Sequence, residues 1–398
     1  MTTTPRSMPK PSGRRPAATP PKTLPSPGHG TRRRIAIACQ GGGSQTAFTA
    51  GALRGLMQAG VFDEFEVVSL SGTSGGAICA ALAWCALTDG DAEPWRRLEA
   101  FWRENAATTP AERSFNDHVV STMRMTNAGL LPSVSISPSS PLAQMLLRWS
   151  TAGLRPLFVD FPGLLNKHID FARLQAMGPR ARAPVLLMGA VDVLSGQLAK
   201  FCTAQQALRV EHILSSCAVP SLFPAVEFDG AAYWDGLFSD NPPISELAQA
   251  RFVGMENIPH EIWVIKINPT TSTRVPTTAD EISDRRNELI GNVSLFQQLD
   301  ALTVMNDLYL RGAFRPEFVT SAGLDGAILI PKSFADGENR PYHIPFIEMS
   351  SQLSERLDYE SKLDRSLEHI EELMEDGHQQ AQRFLEARAA CLARKLAT

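Results

Sequence analysis

From Arg34 onward the chain alternates between two kinds of apolar run. Residues 35–39 are continuously apolar, too short for a helix and followed by glycines, which predicts a buried strand. Residues 44–59 predict a helix that stops at Gly60. Residues 65–70 (F-E-V-V-S-L) predict a second strand, and an Ala-rich helix follows over 75–87. Later strands are predicted at 185–193, 198–201, 225–228 and 262–267. Strands alternating with helices predict an α/β chain, with a central, mostly parallel sheet flanked by helices.

The rest of the pattern is weaker. Over about 105–182 periodicity fades and a Ser/Pro-rich piece, S-V-S-I-S-P-S-S-P, occupies 133–141, which suggests an insertion or lid. Beyond Pro269 the composition turns polar and helical; Leu357, Leu363, Leu367, Ile370 and Met374 predict one helix over 354–374 packed on the main domain. The chain thus divides into 32–270, bearing the chemistry, and a mainly helical region, 271–398. Residues 1–31 hold eight prolines and almost no large apolar side chain, the composition of a disordered arm.

Charge sharpens this division. Residues 1–34 carry eight Lys/Arg and no Asp/Glu, leaving 30 basic against 42 acidic residues in the remainder. A body of net charge −12 is unsuited to nucleic acid. Six cysteines stand singly with no C-x-x-C, so neither a metal site nor a disulfide framework is expected. The N-terminus lacks an apolar signal core, and the longest apolar run, 77–87, is too short to span a bilayer. The expectation is a cytoplasmic protein with at most transient contact at a membrane surface.

Two glycine motifs carry the candidate chemistry. Gly41-Gly42-Gly43 directly follows the first strand. A dinucleotide fingerprint would need glycine at Thr46, and a P-loop would need G-K-[ST], so neither nucleotide motif is met. Backbone N–H groups at a strand-to-helix junction can instead hold an oxyanion. Gly72-Thr73-Ser74-Gly75-Gly76 fits G-x-S-x-G between a strand and a helix, the setting of a nucleophile elbow. Gly72 and Gly76 flank Ser74 where a sharp turn leaves no room for Cβ atoms.

A serine nucleophile needs a base. Of His260, His343, His369 and His378, only His343 (P-Y-H-I-P) sits in a loop that suits the role. The other candidate is a carboxylate. Asp229-Gly230 reads as a hairpin turn between A-V-E-F and A-A-Y-W, while Asp235 falls at the end of the second of those strands. Partial burial there would raise its pKa toward that of a useful base.

The ordered set of G-G-G, G-T-S-G-G and D-G followed by N-P-P resembles the patatin-like phospholipases, and S-S-C-A-V-P-S-L-F-P-A-V at 215–226 resembles the family's segment ahead of its aspartate. The resemblance covers about 34–267. It implies a Ser–Asp dyad without histidine, no metal or other cofactor, and a lipid ester as substrate. Carried onto this chain, Ser74 is the nucleophile, Asp235 the base, and Gly41, Gly42 and Gly43 the oxyanion loop. Asn241-Pro242-Pro243 stands at the family's offset from Asp235, although Asp229-Gly230-Ala231 is the formal match to D-G-[GA]. Gln45 departs from the family, which places Arg or Lys there. Two other readings follow: a Ser–His–Asp esterase or thioesterase using His343, and a non-catalytic scaffold in which Gln45 marks decayed chemistry.

Overall fold

Buried apolar strands with helices between them assemble one mixed sheet. The computed structural model describes residues 32–132, 136–220, 222–321, 326, 328 and 346–397. The proline-rich arm and His343 lie outside the described residues.

The strands are β1 (Arg34–Cys39), β2 (Glu66–Gly72), β3 (Val185–Asp192), β4 (Leu198–Cys202), β5 (Val226–Phe228), β6 (Ala231–Asp235), β7 (Glu261–Lys266) and β8 (Ile347–Glu348). Their order is β5-β6-β3-β2-β1-β7-β8, with β4 also paired to β3. β3-β2-β1-β7-β8 run parallel, and β4, β5 and β6 add antiparallel pairs. The α/β fold expected from the sequence, a mostly parallel sheet flanked by helices, is the one observed. β1 is buried from Ile35 to Cys39, as a strand covered on both faces must be.

The helices that bear on the site are α1 (Ala47–Gln58), α2 (Gly75–Asp89), α3 (Pro110–Asn127), α4 (Pro141–Ser150), α5 (Phe161–His168), α6 (Val210–Ser216), α7 (Ala279–Leu310) and α8 (Leu367–Ala397). α2 is buried on every side from Gly75 to Ala86, so its alanines and glycines let it lie close against the sheet. Among the described residues no helix is long and apolar enough to cross a membrane.

Two stretches differ from the sequence expectation. The weakly periodic region is helical, and its prolines mark helix starts. Pro110 follows Thr109, which closes a capping box with Glu112, and Pro141 follows the N-cap Ser140. In the C-terminal region the helix expected over 354–374 begins only at Leu367. Residues 355–366 instead form an irregular strap with a 3-10 turn at Glu360–Lys362. Its polar groups are used elsewhere: Asp358 pairs with Arg124 at 2.6 Å, and Asp364 accepts from Asn116 at 2.9 Å. Ile370 and Met374 of the predicted stripe do enter the core.

α8 lies along α1 with backbone against backbone. A Cβ on Gly51 would overlap the Met374 carbonyl, and one on Gly377 would overlap the Phe48 carbonyl. Gly51→Val should therefore lower stability by about 1–3 kcal/mol, as overpacking does. Urea unfolding checks this, and a midpoint equal to wild type would show that the two helices can part freely.

Candidate active site

Register brings the three motifs to one edge. In the parallel pair β1–β2, Cys39 faces Gly72, so the glycine loop and the elbow leave the sheet side by side. Gly72 faces Met188 on β3, and Asp235 on β6 faces Ala190 two residues further along. The nucleophile, loop and carboxylate candidates therefore meet at the carboxyl ends of the central strands, where open α/β sheets hold their ligands.

Ser74 sits at φ 55 and ψ −131, a strained backbone for a side chain with a Cβ. Between Val67 and Ala86 every residue but Ser74 is buried, so Ser74 is the one position of the turn open in part to solvent. Its glycines are required by space: a Cβ on Gly72 would overlap the Gly76 carbonyl, and one on Gly76 the Cys39 carbonyl. Ser74 is also the N-cap position of α2, whose positive end favours nearby negative charge.

Asp235 is fully buried. Burial pushes its pKa up to about 7, against the Leu237 amide, which donates to Oδ1 at 2.7 Å, and the Ser74 hydroxyl, which also favours the charged form. Oδ2 closes no hydrogen bond, so the Ser74 hydroxyl is its neighbour without yet being its partner. Among the described residues no histidine or cation acts on this carboxylate. Asp229 is the turn residue of the β5–β6 hairpin, at φ 51, and it pairs at the surface with Arg209 at 3.0 Å.

Two segments that the sequence reading matched to the family without giving them a role hold these parts in place. Residues 216–218 splint the candidate pair. The Ser74 N–H donates to Ser216 Oγ at 3.1 Å, and the Asp235 N–H donates to the Ala218 carbonyl at 3.0 Å. Cys217 between them adjoins Ser74 and Asp235, and burial keeps its thiol well above the ordinary range. Residues 240–243 splint the elbow to the loop. Thr73 Oγ1 and Ser71 Oγ donate to the carbonyls of Asp240 and Pro243, both at 2.5 Å, while Asn241 Oδ1 accepts the Gly41 N–H at 2.7 Å.

That last bond divides the three glycines. The Gly41 amide is already used, and a Cβ there would stand 2.9 Å from Ser74 Cβ, so Gly41 serves close approach. The amides of Gly42 and Gly43 have no partner among the described residues. Gln40, just before them, is fully buried with its amide saturated. Nε2 donates to Asn292 Oδ1 at 2.9 Å and the Gly291 carbonyl at 3.1 Å, and Oε1 accepts from the Ile267 and Asn268 amides at 2.8 Å.

Gln45 is buried as well. Its Nε2 donates to Ser361 Oγ at 2.8 Å and to the Asp358 carbonyl at 3.3 Å, so it anchors the strap. Lys362 of the strap lies against Gly43, donates to Asn268 Oδ1 at 2.7 Å, and has its pKa lowered by burial to about 8. A cation thus stands in this cluster although residue 45 is neutral. Among the described residues no group of three His, Cys, Asp or Glu side chains could hold a metal ion.

The model of the family described as patatin-like phospholipase matches residues 37–248, more than half of the chain. The chain belongs to the patatin-like phospholipase family. Membership implies a lipid ester hydrolase. Solved structures similar to this patatin-like chain include VipD from Legionella pneumophila, at 15% identity and a TM-score of 0.41, covering 90% of this chain and 67% of that one. Another is ExoU in complex with SpcU, from the type III secretion system of Pseudomonas aeruginosa, at 16% identity and a TM-score of 0.22, covering 73% of this chain and 60% of that one. No curated protein matches this patatin-like chain.

Proposed function

We propose that the chain is a serine lipid acyl hydrolase in which Ser74 and Asp235 act as a dyad through an acyl-enzyme. One observation carries this reading: the one residue of a strained elbow that is not fully buried adjoins, through its hydroxyl, a buried carboxylate with an unpaired oxygen and a pKa of about 7. Catalytic pairs are commonly loose until substrate closes them.

Asp235 takes the Ser74 proton as Oγ bonds to the ester carbonyl carbon. The Gly42 and Gly43 N–H groups hold the resulting oxyanion. The bond to the alcohol or lysolipid oxygen breaks, and that oxygen takes the proton from Asp235. Water then attacks the acyl-serine, giving its proton to Asp235. The fatty acid leaves as the proton returns to Ser74.

A fluorophosphonate probe tests the assignment. Ser74 should be labelled in wild type and in His343→Ala, and labelling should fall in Asp235→Asn. Loss in His343→Ala with retention in Asp235→Asn would favour a histidine triad. No labelling of folded wild type would favour a scaffold.

A further inference from the structure

α4 (Pro141–Ser150) buries none of its residues. Leu142, Met145, Leu146 and Trp149 recur at the spacing of one helical face, with exposures of 51%, 59%, 43% and 78%. Gln144 lies on the opposite side together with Leu147, 60% exposed, and Arg148 lies at the flank. Leu130, just before this helix, is 75% exposed. A contiguous apolar face of this kind marks a surface that something covers.

Charge and placement identify the cover. Between Asp117 and Asp160 the chain has no acidic residue, within a body of net charge −12; of its arginines there, Arg124 pairs with Asp358 and Arg155 with Glu112, which leaves Arg148 on the helix to meet a partner. Both roots of the excursion are tied to segments that support the candidate site or neighbour it in the chain. At the outgoing root Asn127 donates to Glu360 of the strap that holds Gln45. At the return root Arg155 pairs with buried Glu112 at 2.6 Å, and the Phe161 ring stacks on Phe223, in the loop that follows the 216–218 splint. The apolar helix thus belongs to an excursion tied at one root to the strap and at the other to the loop after the 216–218 splint. A short exposed helix rich in Leu, Met and Trp, with Arg at its flank and no acid, suits an anionic bilayer interface.

We infer that α4 docks this protein on the surface of a phospholipid bilayer, with Leu142, Met145, Leu146 and Trp149 among the acyl chains and Arg148 at the phosphates. The inference rests on the lipid-hydrolase reading for the choice of a bilayer over a protein partner. It brings the protein to the membrane that holds the substrate.

Flotation with vesicles of phosphatidylcholine, with and without phosphatidylglycerol, tests it on the full chain. The comparison is between Ser74→Ala and Ser74→Ala carrying Met145→Glu and Leu146→Glu. Both substituted side chains are exposed, so the fold should be unaffected. Binding should be stronger with phosphatidylglycerol and should drop by roughly tenfold or more in the glutamate variant, since each apolar side chain lost from the interface removes a factor of that order. With Ser74 restored, the glutamate variant should hydrolyse soluble p-nitrophenyl butyrate at the wild-type rate and vesicle phospholipid at least roughly tenfold more slowly. Equal flotation of the two proteins would overturn the inference. So would a concentration-dependent dimer that the glutamates abolish, because a second copy would then be the cover. Flotation is read without catalysis, so an inactive enzyme that still floats counts against the function and not against the docking.

Discussion

Ser74→Ala is expected to reduce fatty-acid release from phospholipid or p-nitrophenyl esters by about 10⁴–10⁶-fold, the range for loss of a serine nucleophile. The reason lies in the elbow. Every other side chain from Val67 to Ala86 is buried, so no neighbour on the turn can replace the missing oxygen. The substitution keeps the Cβ, and with it the φ of 55 that Ser74 already tolerates. The amide bond to Ser216 and the packing of Gly72 against Gly76 do not involve the hydroxyl. Stability and substrate binding should thus remain, and the loss should fall on kcat. Product release by the variant within tenfold of wild type would remove Ser74 from the mechanism.

Asp235→Asn should act on activity and stability in opposite directions. As a base Asp235 must be ionised, and burial holds its pKa at about 7. Wild-type kcat/KM should therefore rise with pH through about 7 and level off above it, and the asparagine variant should lose roughly 10²–10⁴-fold on the plateau. The stability effect follows from linkage. The folded carboxyl keeps its proton up to about 7, whereas an unfolded aspartate releases it near 3.8. Folding is thus progressively disfavoured as pH rises between those values. Above the upper one the fold carries a fixed cost on the order of a few kcal/mol for the buried charge. Asparagine removes that charge and retains an oxygen for the Leu237 amide. The variant should unfold at higher urea than wild type at alkaline pH and match it at acid pH. A variant that is less stable at alkaline pH, or a rate profile flat across neutrality, would contradict the buried-base reading.

The parts of the site legible in the sequence are those whose reasons are local. A strand, G-x-S-x-G and a helix specify the elbow because the constraint on Gly72 and Gly76 comes from within five residues. Asp235 could be separated from Asp229 because Asp-Gly between apolar strands is a turn in its own right, and Asp229 does occupy the positive-φ corner. The supporting groups were not legible. Gln40 meets its partners on α7 251 and 252 residues later, and Gly41 meets Asn241 after 200. A lone polar residue gives no sign of so distant a bond. The strap was misread for a related reason: Leu357 and Leu363 continue a leucine stripe, but Asp358, Ser361 and Asp364 use their groups on Arg124, Gln45 and Asn116. Gln45 itself looked like a lost cation. In the structure it is a buried anchor, and its departure from the family's basic residue coincides with a lysine, Lys362, brought in from the strap.

The strap also sets an order of events at the ribosome. Ser74, Asp235 and the glycines are all translated before residue 244, yet Gln40 stays unsatisfied until Asn292 emerges and Gln45 until Ser361 does. A nascent chain carrying both members of the proposed dyad therefore still lacks what fixes the loop beside them. The proposed site becomes whole only once residue 361 has emerged, so a chain stopped short of that point holds its parts in disconnected pieces.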